Sequence, residues 1–103
     1  MPSGKLGSAD LLAVTDTLIY TVPASKIATV NVRVANRNAA SIRVRVAVGS
    51  GAVPSGADYL SFDMLISGNG LYEDTGIVMS AGEKLWVYSS LANVSVRAHG
   101  MEG

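Results

Sequence analysis

Between Ala28 and Val34 the chain alternates without a break. Ala28, Val30, Val32 and Val34 fall on one parity, and Thr29, Asn31 and Arg33 fall on the other. Successive side chains point to opposite sides only in an extended strand, so this run is a strand with one apolar face. The pattern returns at 41–48, where Ile42, Val44, Val46 and Val48 alternate with Ser41, Arg43 and Arg45. Valine's branched Cβ suits a pleated surface and is unfavourable in a helix. Strands with one apolar face must bury it against a second layer, so these runs direct the chain toward packed sheets.

The remainder of the chain reads the same way. Leu18–Val22 alternates and stops at Pro23, which cannot donate to a ladder. Residues 58–66 place Leu60, Phe62, Met64 and Ile66 on one parity. Leu71–Met79 is a weaker strand, with Gly76 as a candidate bulge. Lys84–Ser89 and Val94–His99 complete the series. Turn residues separate the runs at 23–25, 36–39, 49–57, 67–70 and 80–83. No ten-residue amphipathic helix and no internal repeat is evident.

The reading is an all-β, two-sheet antiparallel β-sandwich of seven or eight strands, jelly-roll-like or immunoglobulin-like, spanning 16–103. Residues 9–14 are either a short strand or a helical turn, and the Gly/Ser-rich start makes 1–15 a flexible N-terminal arm. The expected core is Val30, Val32, Val34, Ile42, Val44, Val46, Leu60, Phe62, Leu85, Val87, Val94 and Val96. If the two strongest strands pair directly, their residue numbers sum to 76, setting Val34 opposite Ile42 and Val32 opposite Val44. A connection that crosses between sheets would remove that register.

A chain of 103 residues holds one core. With no cysteine, packing and sheet hydrogen bonds must supply the stability. Eight Lys and Arg against eight Asp and Glu argue against coating nucleic acid by bulk charge. The start lacks the apolar stretch of a secretory signal, and no apolar run approaches a membrane span. Only 16% of residues are charged, against roughly 25% in an average domain. That composition favours self-association.

Catalytic and metal chemistry find little support. His99 is the only histidine, and its parity points it outward as a solvated residue. Asp58 and Asp63 lack the spacing of a calcium loop, and Glu73 and Asp74 face opposite sides of their strand. No nucleophile elbow and no phosphate-cradling glycine motif is present. The expectation is a non-enzymatic protein without cofactor or metal.

Two surface features point to an interface instead. Arg33, Arg43 and Arg45 share outward parity, and on the register above Arg33 opposes Arg43. Opposed like charges are destabilising, so carboxylates from Asp58, Asp63, Glu73 or a partner should meet them. Lys84–Ser89 is apolar on both sides: Leu85 and Val87 face one way, Trp86 and Tyr88 the other. One side fills the core, and the aromatic side needs a cover, which is either the N-terminal arm or another subunit. Leu11 and Leu12 of the arm join Arg33, Arg43, Arg45, Trp86 and Tyr88 as candidate interface residues.

The segment Leu18-Ile-Tyr-Thr-Val-Pro-Ala-Ser-Lys26, continued by Ile-Ala-Thr-Val-Asn-Val-Arg-Val-Ala-Asn-Arg-Asn38, resembles a pattern in small virion structural proteins of tailed bacteriophages. Those proteins carry a Tyr-Thr-Val-Pro-Ala-Gly-Lys turn, an Ala-Thr-Val-Asn-Val strand and then Asn-Arg. Asn69-Gly70-Leu71, Thr75-Gly76-Ile77-Val78, Ala81-Gly82 and Asn93-Val94-Ser95-Val96 are similar in order and spacing, so the resemblance spans most of 17–99. Ser25 stands where glycine is common in the first turn.

The resemblance implies a β-sandwich in a phage head or tail, with no catalytic residues. The leading expectation is a capsid decoration or cement protein. It would bridge capsid subunits and contact further copies of itself and the major capsid protein, with no nucleic acid or membrane partner. It would be a homo-oligomer located in the virion and assembled in the host bacterial cytoplasm. A tail, fibre or baseplate component is the alternative. A carbohydrate-binding sandwich with Trp86, Tyr88 or Tyr72 as a stacking platform is the alternative of another class.

Overall fold

The apolar parity of Val30, Val32 and Val34, and of Val44 and Val46, faces a single interior in which all five side chains are fully buried. The structure, a computed structural model, describes residues 3–103. It contains β1 (Ser3–Leu11), β2 (Thr17–Thr21), β3 (Ala28–Asn36), β4 (Ile42–Gly49), β5 (Tyr59–Ile66), β6 (Leu71–Met79), β7 (Lys84–Ser89) and β8 (Val94–Glu102). A 3-10 turn at Gly56–Asp58 precedes β5. Among the described residues no helix is long and apolar enough to cross a membrane.

The strands form two antiparallel four-stranded sheets, in the orders β1-β8-β3-β6 and β2-β7-β4-β5. β1 pairs with β8, β2 with β7, β3 with β6 and β4 with β5. The chain is therefore one long hairpin, turned back at 50–58 between the paired β4 and β5 and rolled so that along each arm successive strands alternate between sheets. This is the jelly-roll arrangement, so of the two topologies left open by the sequence the jelly roll is the one adopted.

β3 and β4 lie in different sheets, and the register summing to 76 does not form. Asn36 explains the crossing. Its buried side chain donates to the carbonyls of Ala40 (2.9 Å) and Ser67 (3.0 Å) and accepts from the Asn38 N–H (2.9 Å). These bonds tie the β3–β4 corner, just after the last residue of β3, to the β5–β6 turn.

The start of the chain also departs from expectation. Residues 1 and 2 of the expected arm lie outside the described residues, and Ser3–Leu11 is an edge strand, not an arm. Leu11 is 2% exposed and belongs to the core. A Cβ on Gly7 would stand 2.2 Å from the Ile19 carbonyl oxygen, so this glycine lets β1 approach β2 and close one side of the sandwich. A composition that reads as flexible linker here serves close packing.

β5 does not keep the single parity its sequence suggests. Val44 pairs with Met64, but Val46 pairs with Ser61, so Arg45 stands opposite both Phe62 and Asp63. Asp63 takes a left-handed φ of 55° to accommodate this bulge. A second shift follows at Leu60. Leu60 and Phe62, expected in the core, are 50% and 57% exposed. The other expected core residues are buried, joined by Leu11, Ile19, Tyr20, Val22 and Met79 among others.

Candidate functional site

The β5 bulge builds the most organised surface cluster of the molecule, on the outer face of β2-β7-β4-β5. Arg45 projects outward from β4, directly beside Tyr88 of β7. Its guanidinium carbon lies 4.1 Å from the centroid of Phe62 and 4.4 Å from that of Tyr88. The cation is thus held between two ring faces, where the aromatic quadrupole attracts it. Arg45 Nε also donates to Asp63 Oδ1 at 2.7 Å. That bond raises the guanidinium further above its ordinary range, against an opposing effect of desolvation. Tyr59 meets Phe62 edge-on, with centroids 4.9 Å apart and planes at 87°.

Arg43 is two residues earlier on the same face. Its Nη1 donates to the Asp63 backbone carbonyl at 3.2 Å and finds no carboxylate among the described residues. Leu65, directly opposite Arg43, is exposed, as is Leu18 across the sheet on β2. Trp86 and Ala47, paired with each other and almost wholly buried, stand in the row between Leu18 and Tyr59. Lys84 Nζ donates to the Gly51 carbonyl at 3.0 Å and ties the 50–55 loop to this end of the sheet.

The sequence-derived candidates separate as follows. Arg43, Arg45 and Tyr88 share this face. Arg33 does not: it lies on the other sheet, between Arg97 of β8 and Glu73 of β6, and pairs with Glu73 at 3.3 Å. The expected opposition to Arg43 is replaced by one to Arg97. Trp86 belongs to the right face, but at 4% exposure it is already covered within the chain and offers no platform. Tyr72 lies on the other sheet, so the three rings named for a stacking strip share no face. Leu11 is core, whereas Leu12 is 68% exposed.

His99, expected to be solvated, is half-buried between Lys5 and Asn31, with Nδ1 shielded from solvent. Phe62, Tyr59 and Asp63 were not among the interface candidates. Phe62 follows the apolar parity of its strand, and nothing local marks the bulge that turns it out.

The opposite face of the molecule, on β1-β8-β3-β6, is polar at its centre, with exposed Val78 and Met101 on either side of Thr29 at one end and exposed Leu71 beside Ala35 at the other. Lys5, Asn31, Arg33, Glu73 and Arg97 occupy its paired positions. Among the described residues no three His, Asp or Glu side chains gather as a metal site would. No family model matches the chain, and neither a curated protein nor a solved structure matches it.

Proposed function

We propose that this protein is a non-enzymatic structural subunit of a tailed-bacteriophage particle, most concretely a capsid decoration protein that bridges capsid subunits. The observation that carries the reading is the contrast between the two outer faces. On one, exposed Val78, Met101 and Leu71 stand at the two ends of a polar centre; the other gathers Phe62, Leu65 and Tyr88 around two arginines, with Leu18 on the same face. Aromatic residues and arginine are enriched in protein interfaces, and exposed apolar groups gathered on one face mark interaction sites. The phage-like sequence pattern over 17–99 supports the same reading. So does the jelly roll, by analogy of fold alone, since viral capsid domains use it alongside lectins and cupins.

On this reading the protein resides in the virion and reaches it in the host bacterial cytoplasm, held by contacts with the major capsid protein. Electron microscopy of particles carrying a tagged copy tests it. Label on the head faces is the expected result. Label confined to the tail would replace decoration by a tail role, and particles without label would remove the proposal.

A further inference from the structure

The four edge strands are each interrupted. β1 shifts register at Leu6, β2 at Ile19, β5 at Phe62–Asp63 and again at Leu60, and β6 at Thr75–Gly76. The central pairs β3–β8 and β4–β7 run without a shift. A bulged, twisted edge is a poor template for another strand. Association by sheet extension is thereby disfavoured, and the faces remain.

We propose that the face around Arg43 and Arg45 docks an acidic surface of a different protein, one presenting carboxylates next to apolar side chains. This rests on the assembly reading above and names its partner's chemistry. Arg45 is fixed in place by Phe62, Tyr88 and Asp63, so little side-chain freedom is left to lose on binding. Arg43 is bound only to a backbone carbonyl and keeps donors for a bidentate carboxylate. Exposed Phe62 and Leu65 flank the two guanidiniums and would exclude water from the ion pairs.

A second copy is the wrong partner on grounds of charge. Glu73, Asp10 and Asp63 already pair with Arg33, Arg37 and Arg45. Asp58 and Glu83 accept backbone N–H groups in their own turns, and Glu102 and Asp74 accept from Tyr20 and Tyr72. Among the described residues Asp16 alone makes no side-chain hydrogen bond or ion pair, so most carboxylates of another copy would have to share or give up a bond to reach these arginines. In a two-fold contact, moreover, this face would set its arginines against themselves.

The test is a titration of the ¹⁵N-labelled full chain with a synthetic peptide of glutamates interleaved with leucines, followed by NMR. Saturable shifts are expected at Arg43, Arg45, Phe62 and Tyr88, weakening as salt rises. Arg43→Glu, and more mildly Arg43→Gln, should lower the affinity at least tenfold, while Arg33→Glu leaves it unchanged. An unperturbed melting temperature shows that each variant is folded. Four results would each overturn the proposal: no saturable shift, shifts centred on the β1-β8-β3-β6 face, equal binding by Arg43→Glu, or equally tight binding of an oligothymidylate. The same amides shifting when the protein alone is diluted would reassign the face to self-association. If the peptide fails to bind while label is found on heads, this assignment alone falls; if the peptide binds and particles carry no label, the particle reading alone falls.

Discussion

The Tyr20 hydroxyl donates a hydrogen bond of 2.5 Å to Glu102 Oε1 inside the sandwich, joining β2 of one sheet to β8 of the other. Both residues are buried, so the carboxylate depends on this partner. Tyr20→Phe keeps the ring and removes the donor, and should cost about 1–3 kcal/mol. Urea denaturation of both proteins at neutral pH measures it; equal stability would mean that Glu102 is satisfied elsewhere.

The same pair makes stability pH-dependent at the alkaline end. Burial pushes the Tyr20 hydroxyl above its ordinary value, and the bond to Glu102 adds to the shift. Above about pH 10 the unfolded tyrosine loses its proton while the folded one keeps it. The unfolded state then binds fewer protons, so this contribution is whole below about pH 10 and falls as pH rises. The stability gap between wild type and Tyr20→Phe should therefore narrow above about pH 10. A constant gap would contradict the assignment.

Leu11 decides whether the start of the chain belongs to the domain. It is fully buried at the end of β1, so Leu11→Ala should cost about 2–5 kcal/mol. Leu12→Ala, one residue on and exposed, should leave the melting temperature nearly unchanged. Two equal and small effects would return this segment to the status of an arm.

Ser25 occupies the third position of the Pro23–Lys26 turn, with φ at 63° and the Lys26 N–H bonded to the Pro23 carbonyl at 3.2 Å. Gly82 fills the equivalent position of the Ser80–Glu83 turn, with φ at 81°. A left-handed residue with a Cβ costs about 1–2 kcal/mol. Glycine returns about 0.4–1 kcal/mol of that through the freedom it adds to the unfolded chain. Ser25→Gly should thus stabilise the protein by about 0.5–1 kcal/mol, read as a raised denaturation midpoint. A lower midpoint would show that the serine makes an offsetting contact.

Strand identity was legible because Val30, Val32, Val44 and Val46 alternate locally. Pairing was not legible, because β3 finds its partners in β6 and β8, far along the chain. The bulges were not legible either. One extra residue reverses parity, which is why Phe62 reads as core and lies outside, and why Ile19 and Tyr20 are both buried despite being adjacent. Gly7 of β1 reads as linker because its role depends on Ile19, a tertiary neighbour. Arg43 and Arg45 were identifiable as surface cations, but their aromatic and acidic surroundings come from the β5 bulge.

Whether the outer face of β2-β7-β4-β5 holds this protein on a particle is tested most directly by co-sedimentation with phage heads lacking it, comparing wild type, Arg43→Glu and Arg33→Glu over a range of salt. Wild type and Arg33→Glu should sediment together with the heads at low salt, and Arg43→Glu should remain in the supernatant with its melting temperature unchanged. Equal sedimentation by all three would contradict it.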